Sequence, residues 1–210
     1  MISREQTRQN YDRMSRWYDL FASSEKKFTE VGLQLLGVKT GERVLEIGFG
    51  TGHSLVTLSQ QAGESGLVAG LELSAGMLEM ARKRMQTESP GRYAGMVQGD
   101  GILLPFVHNS FDAVFLSFTL ELFSDDEISV VLSECQRVLK QDGRLGVVSM
   151  AKRNVLACKL YQWGHERWPA ILDCRPIELH KSLEAGGFRL QAMKVETMWG
   201  LPVEIALGRP

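Results

Sequence analysis

Between Arg43 and Met150, short runs rich in apolar and β-branched residues alternate with stretches whose apolar positions recur every three or four residues. Such alternation predicts a parallel sheet with helices packed on both faces. The expected strands cover 43–47, 67–72, 93–98, 111–118 and 144–150. Leu55, Leu58 and Ala62 mark a helix over 51–62, and Leu78, Ala81 and Met85 mark another over 75–85. In "SDDEISVVLSECQRVLK", Ser124 and Glu127 have the spacing of a capping box, and Ile128, Val131, Leu132, Cys135, Val138 and Leu139 make one apolar face. Asp142-Gly143 marks the end of that helix.

After Met150 the pattern changes. An aromatic helical segment over 154–168 stops at Pro169, and a second helix starts at Pro176 and ends at Gly186-Gly187. Two closing strands, 188–198 and 203–208, are joined by "WGLP", a link so short that they must run antiparallel. Near the N-terminus Tyr11, Met14, Tyr18 and Phe21 have helical spacing, with Trp17 beside them. That helix either packs on the flank of the sheet or covers a ligand as a lid. No repeat and no linker divides the chain.

Composition narrows the classes of function. Lys plus Arg (24) nearly balances Asp plus Glu (25), and the net charge of −1 argues against nucleic acid or strong attraction to an anionic membrane. The N-terminus lacks an apolar signal core and no run approaches the ~18 apolar residues that span a bilayer. A soluble, cytoplasmic protein is expected, with peripheral membrane contact left open. Cys135, Cys158 and Cys174 are widely spaced, so neither a disulfide framework nor a metal site is indicated. Cys135 reads as a core filler.

The strongest chemical signal is "VLEIGFGTGHSL", with Gly48, Gly50 and Gly52 between a strand and a helix. At such a place backbone N–H groups and the helix dipole can receive an anionic group. It is also the carboxyl end of a strand, where ligands of open α/β sheets collect. A dinucleotide fingerprint needs GxGxxG, yet the sixth residue is His53 counted from Gly48 and Leu55 counted from Gly50. Glu46 ahead of alternating glycines suits a ligand with a cationic and an anionic end and no pyrophosphate. The competing account is a tight turn in which the glycines only supply positive φ. Glu72 and Asp100 close the next two strands, placed to accept the hydroxyls of a ribose and an adenine amino group. Singly, each would serve as well as a helix cap or a turn residue.

With these residues the chain resembles the class I S-adenosylmethionine-dependent methyltransferases, most closely the quinone-biosynthesis C-methyltransferases and bacterial phospholipid N-methyltransferases. The resemblance runs through "YDRMSRWYDLF", "VLEIGFGTG", "GLELSAGMLEMAR", "GDGILLPFVHNSFDAVFLSFTLELF", "RVLKQDGRLGVVSM" and "LEAGGFRL…WGLPVEIALGR". It implies a Rossmann-like, doubly wound α/β fold: a mostly parallel seven-stranded sheet with a C-terminal antiparallel hairpin and an N-terminal lid helix. One domain over 1–210 is expected, divided into lid helices (1–30), cofactor-binding core (41–150), acceptor-side segment (151–187) and closing hairpin (188–210). The implied cofactor is S-adenosyl-L-methionine, leaving S-adenosyl-L-homocysteine as product. By the same resemblance, Gly48, Gly50 and Gly52 would line its methionine part with Glu46 near the ammonium; His53, in the first turn of the following helix, contacts the cofactor or packs. Glu72 would hold the ribose, with Leu73 and Met77 against the adenine, whose edge Asp100 and Gly101 would read. Ser117 and Phe118 would lie near the sulfonium, and Tyr11 and Tyr18 would belong to the lid. The family more often has Asp at 46, a small or polar residue at 49 and Ala at 101; Phe49 in particular is expected to narrow the pocket.

The implied reaction is methyl transfer to a small-molecule or lipid-like acceptor by in-line displacement, which needs alignment and exclusion of water more than a fixed catalytic group. An oxygen or acidic carbon acceptor also needs a base. Glu121 in "SFTLELF" is one candidate, with a loop-capping role as its alternative. His165, among Tyr161, Trp163 and Trp168, is the other, against a structural histidine. His108 and His180 read as surface residues, and Asp125 and Asp126 as the start of a helix. The Trp and Tyr content of 152–175 suits an apolar or aromatic acceptor or lipid tails, and Arg175 would pair with an acidic acceptor or with Asp173. Two other readings share the glycine loop: a nicotinamide-dependent oxidoreductase, and a non-catalytic S-adenosylmethionine-binding module.

Overall fold

The structure is a computed structural model that describes residues 4–14, 24–153 and 175–210. Seven strands form one sheet: β1 (Arg43–Ile47), β2 (Leu67–Glu72), β3 (Ala94–Gln98), β4 (Phe111–Ser117), β5 (Leu139–Met150), β6 (Arg189–Met198) and β7 (Leu201–Arg209). Their order across the sheet is β3-β2-β1-β4-β5-β7-β6. The first five run parallel, and β7 pairs antiparallel with both β5 and β6. The chain therefore winds outward from β1 in one direction to β3 and in the other to β5. Between β1 and β4 lies the switch point at which open α/β sheets hold ligands.

Helices cover both faces, as the alternating pattern requires. On one side lie α1 (Arg4–Met14), α2 (Lys26–Leu36), α3 (His53–Ala62) and α4 (Ala75–Glu88); on the other lie α5 (Asp125–Val138) and α6 (Leu179–Ala185). Two apolar cores result, one built on Leu33, Leu36, Leu55, Leu58 and Phe115, the other on Leu45, Leu116, Leu132, Cys135 and Phe188. Cys135 is fully buried, and burial pushes its thiol far above the ordinary range, so it fills space without reacting.

The capping box of α5 forms as its spacing predicts: the Ser124 hydroxyl accepts from the Glu127 N–H, and the Glu127 carboxylate accepts from the Ser124 N–H. The helix ends four residues before Asp142, however. Leu139 already pairs with Phe111, and residues 140–143 bulge before Arg144 rejoins at Ala113. Pro176 likewise does not open a helix, because Ile177 bridges to Ala151 and extends the sheet, delaying α6 to Leu179. The hairpin turn is only Trp199-Gly200, both in the left-handed region (φ 51° and 82°), the conformation that matches the twist of its strands.

Helix α2 crosses the expected boundary between lid and core, and it belongs to the core. Gly32 lies so near the sheet that a Cβ there would stand 2.5 Å from Val148 Cγ2. At the C-terminus of α2, Arg144 donates to the Leu36 and Gly37 carbonyls and pairs with Glu42, tying helix and sheet together. This close seat brings the first turns of α2 to the carboxyl ends of the strands. Trp17, Tyr18 and Phe21, and the aromatic segment over 154–168 with His165, lie outside the described residues.

Candidate active site

The glycine loop has a backbone reason at every glycine. Gly48, Gly50 and Gly52 have φ of 70°, 52° and 85°, a region that costs other residues about 1 kcal/mol or more. Gly52 also meets α4, where an added Cβ would stand 2.7 Å from Ala81 Cβ. Their N–H groups are engaged within the protein: Gly48 donates to the Leu71 carbonyl, Gly50 to Glu72 Oε2 and Gly52 to the Phe49 carbonyl. The glycine N–H groups are therefore not held ready for an anion. The loop instead lies beside two buried carboxylates, Glu46 of β1 and Glu72 of β2.

Two clefts meet there. The first encloses some 640 Å³, counted to its mouth, and is lined by Tyr11, Gly48, Gly50, Glu72, Leu73, Asp100, Gly101, Ser117 and Phe118 from the expected set. Ile47, Leu71, Leu122 and Phe123 add an apolar lining that the sequence did not single out. Gly101 is glycine because Phe123 fills the space an alanine methyl would take, at 2.9 Å from its Cζ. Asp100 acts as a turn residue too, since Oδ1 accepts from the Ile102 N–H. Met77 and Gly52 line neither this cleft nor its neighbour; Met77 is fully buried in α4.

Glu72 is nine-tenths buried, and each of its oxygens accepts one backbone N–H. Oε2 accepts from the Gly50 N–H and Oε1 from the Ser74 N–H, both at 2.9 Å. Burial raises its carboxyl above the ordinary value, opposed by these backbone donors and reinforced by the nearby charge of Asp12.

Glu46, at the end of β1, differs. It is 1% exposed, and Oε2 has no hydrogen-bond partner among the described residues. Burial drives its carboxyl up to about 8; the Ser54 hydroxyl opposes the shift and the charge of Glu72 adds to it. A buried oxygen without a donor is rare enough to require a reason. Here it forms part of the wall of the second cleft, an opening of about 1270 Å³ shared with Gly48, Gly50 and Ser117.

Helix α2 supplies the far wall of this second cleft through Glu25, Lys26, Thr29 and Glu30, none of them anticipated. The apolar spacing of Phe28, Leu33 and Leu36 was the signal that could have placed this helix. His53, exposed at the start of α3, lines the same cleft. Phe49 lines this cleft as well. Its ring turns into the core over Gly70, where a Cβ would stand 2.5 Å from Phe49 Cδ1.

Where β4 ends, Phe118 adopts φ 50°, a conformation a bulky residue holds only when its surroundings enforce it. The enforcement is visible. The Phe118 N–H donates to the Val148 carbonyl at 2.8 Å, and its ring meets Phe28 of α2 edge-on at 6.4 Å. Beside it Ser117 Oγ lies 2.8 Å from Thr29 Oγ1. Ser117 faces both clefts and marks their junction.

The other candidates lie apart. Glu121 is 1% exposed, lines neither cleft, and accepts the Met150 N–H on Oε1 at 3.0 Å. That bond secures the end of β5. Arg175 pairs with Asp125 and donates to the Phe123 carbonyl, so its described partners are neither an acceptor nor Asp173. His108 and His180 are exposed.

Comparison with known proteins agrees with this geometry. Residues 44–143 match the model of a methyltransferase domain. The demethylmenaquinone methyltransferase of Lactobacillus johnsonii is 34% identical over 145 residues, 68% of this chain and 57% of that protein. The 2-phytyl-1,4-naphtoquinone methyltransferase of Trichormus variabilis is 28% identical over 152 residues, 72% of this chain and 65% of that protein. The chain thus spans less than two thirds of the length of these curated relatives. Among solved structures, a SAM dependent methyltransferase from Aquifex aeolicus shares the fold with a TM-score of 0.63 at 22% identity, covering 85% of this chain and 88% of that one. The chain belongs to the class I S-adenosylmethionine-dependent methyltransferases and stands close to their quinone-methylating members.

Proposed function

We propose that this protein transfers a methyl group from S-adenosylmethionine to a small acceptor with an apolar, quinone-like ring. The observation that carries this reading is Glu46, a residue of the cleft wall whose buried Oε2 has no donor among the described residues. An ammonium supplies the missing donor and charge together. A pyrophosphate would do the reverse, adding negative charge beside two carboxylates at a loop whose glycine N–H groups are already engaged. This disfavours the nicotinamide reading.

In this reading Glu46 holds the cofactor's ammonium. The remaining acceptor capacity of Glu72 takes the ribose hydroxyls, and Leu73, Asp100 and Gly101 receive the adenine in the first cleft with Tyr11 against it. Ser117 and Phe118 meet the sulfonium where the two clefts join. Bound there, the cofactor supplies an electrophilic methyl with a good leaving group, and the protein's part is orientation and exclusion of water. The names of the relatives describe naphthoquinone acceptors, one with a phytyl chain. The aromatic content of 151–187 suits the same class of acceptor. Ring-carbon methylation also releases a proton, for which His165 is retained as candidate base.

The test is calorimetry with S-adenosylhomocysteine, followed by incubation with S-adenosylmethionine and a demethylated, prenylated naphthoquinone held in its reduced, hydroquinone form by added dithionite, since the ring carbon must be the nucleophile. Binding, with appearance of a ring-methylated product, is expected. Absence of binding overturns the reading. Binding without transfer to quinone, amine or phenol panels replaces it with the non-catalytic module.

A further inference from the structure

Helix α4 has its own N-cap: Ser74 Oγ accepts from the Met77 N–H at 3.1 Å. It also has a second acceptor, from a residue 62 positions earlier in the chain. Asp12 of α1 accepts on Oδ1 from the Ser74 hydroxyl at 2.6 Å and from the Gly76 N–H at 3.0 Å. Its other oxygen pairs with Arg8, which also holds Glu5. A carboxylate at a helix N-terminus gains from both the unpaired N–H groups and the helix dipole. Its location adds a further consequence. Ser74 is fully buried and donates its own N–H to Glu72 Oε1, while Glu72 Oε2 holds Gly50. Asp12, Ser74, Glu72 and Gly50 therefore form one connected series from the N-terminal helix to the glycine loop. Tyr11, next to Asp12, lines the first cleft.

We propose that Asp12 is a positioning residue: by gripping the start of α4 through Ser74 and Gly76, it holds α1 and Tyr11 over the cofactor's nucleoside and braces the carboxylate that takes the ribose. This rests on the cofactor reading given above. Cofactor and grip then support each other, because a nucleoside bound at Glu72 fixes the Ser74 end of the series and Tyr11 fixes the α1 end. Asp12 touches no reacting atom, so its loss weakens cofactor retention while leaving the transfer step intact.

The experiment compares wild type, Asp12→Ala, Asp12→Asn and Tyr11→Ala by calorimetry with S-adenosylhomocysteine and by trypsin cleavage after Arg8 and Arg13 with and without that ligand. Asp12→Ala is expected to lower affinity about tenfold and to abolish ligand-dependent protection of Arg13, with a melting temperature close to wild type in the unliganded protein. Asp12→Asn keeps an acceptor oxygen and should restore most of both. Tyr11→Ala should lose affinity but keep the α1 cleavage pattern of the unliganded protein. Wild-type binding with unchanged affinity and protection in Asp12→Ala overturns the proposal while leaving the cofactor reading standing. Absence of binding in the wild type sinks the cofactor reading itself. A general loss of stability in Asp12→Ala that Asp12→Asn does not rescue would reduce Asp12 to a structural cap and also overturns it.

Discussion

Glu46 and Glu72 end neighbouring parallel strands, carry the same side chain and are both nearly inaccessible, yet the structure treats them in opposite ways. Glu72 receives two backbone N–H groups and belongs to the architecture. Glu46 keeps an oxygen without a donor and is driven up to about 8. Burial alone does not tell a carboxylate that also braces the frame from one left open for a ligand; the difference lies in whether the protein completes its hydrogen bonds. Where completion is left to something else, the cost of burial becomes selectivity for the group that supplies it.

The largest test of this contrast is Glu72→Ala. In the proposed reading it removes the acceptor for the ribose hydroxyls, and it strands the Gly50 and Ser74 N–H groups. Charge-assisted hydrogen bonds of ~1.5–3 kcal/mol each make the expected loss of S-adenosylhomocysteine affinity about a hundredfold or more. The stranded donors should also lower unfolding stability by about 2–4 kcal/mol, measured by urea denaturation without ligand. Lost affinity at unchanged stability would mean that Glu72 is not a part of the frame, and the contrast with Glu46 would fail.

Glu46→Gln should act in the opposite direction on stability. The native carboxyl titrates near 8 against an ordinary value of 4.5, so between these pH values the unfolded chain binds fewer protons than the folded one. Stability of the unliganded protein is then greatest below about pH 4.5 from this group, and that contribution is lost as pH rises to about 8. The glutamine variant lacks this decline, so denaturation curves across the interval should separate the two proteins progressively. Cofactor affinity moves the other way. An ammonium pairs with the ionised form, so wild-type affinity for S-adenosylhomocysteine should climb by up to about tenfold per pH unit below 8, with one proton released on binding. In Glu46→Gln that climb disappears, and affinity at pH 8 falls about tenfold. Calorimetry in buffers of different ionisation enthalpy counts the proton directly; finding none would remove Glu46 from the ammonium site.

The contrast also marks the boundary of what the sequence could reveal. Strand positions, the crossover helices and the capping box at Ser124 follow from local periodicity and spacing, and they agree with the structure to within a few residues. Glu46, Glu72 and Asp100 were legible as acidic strand ends, because strand direction fixes where such residues emerge. What each does was not legible. The partners of Glu72 come from residues 22 positions earlier and two later, and two of those of Asp12 lie more than 60 positions away. Phe49 shows the same limit: its inward turn depends on the room left by Gly70 on the next strand. The error at Asp142 arose because a bulged strand start and a helix stop use the same turn residues. Helix α2 escaped because its apolar face is short and interrupted by Gly32, whose purpose only the sheet beneath it discloses.

The smallest expected effect isolates the hydroxyl that hydrogen-bonds Glu46. The Ser54 hydroxyl, in the first turn of α3, stabilises the ionised carboxylate, so removing it should raise the Glu46 carboxyl further. In Ser54→Ala the pH at which cofactor affinity levels off should move upward by less than about one unit, a cost below ~1.4 kcal/mol. Affinity at pH 7 then drops about threefold, while at pH values above the new plateau it matches wild type. A uniform loss at every pH would mean instead that Ser54 acts on the shape of the α3 start. A profile identical to wild type would mean that the Glu46 site is set by burial and Glu72 alone. In the double variant Glu46→Gln, Ser54→Ala, the second substitution should add almost nothing to affinity, because the hydroxyl then has no charge to stabilise.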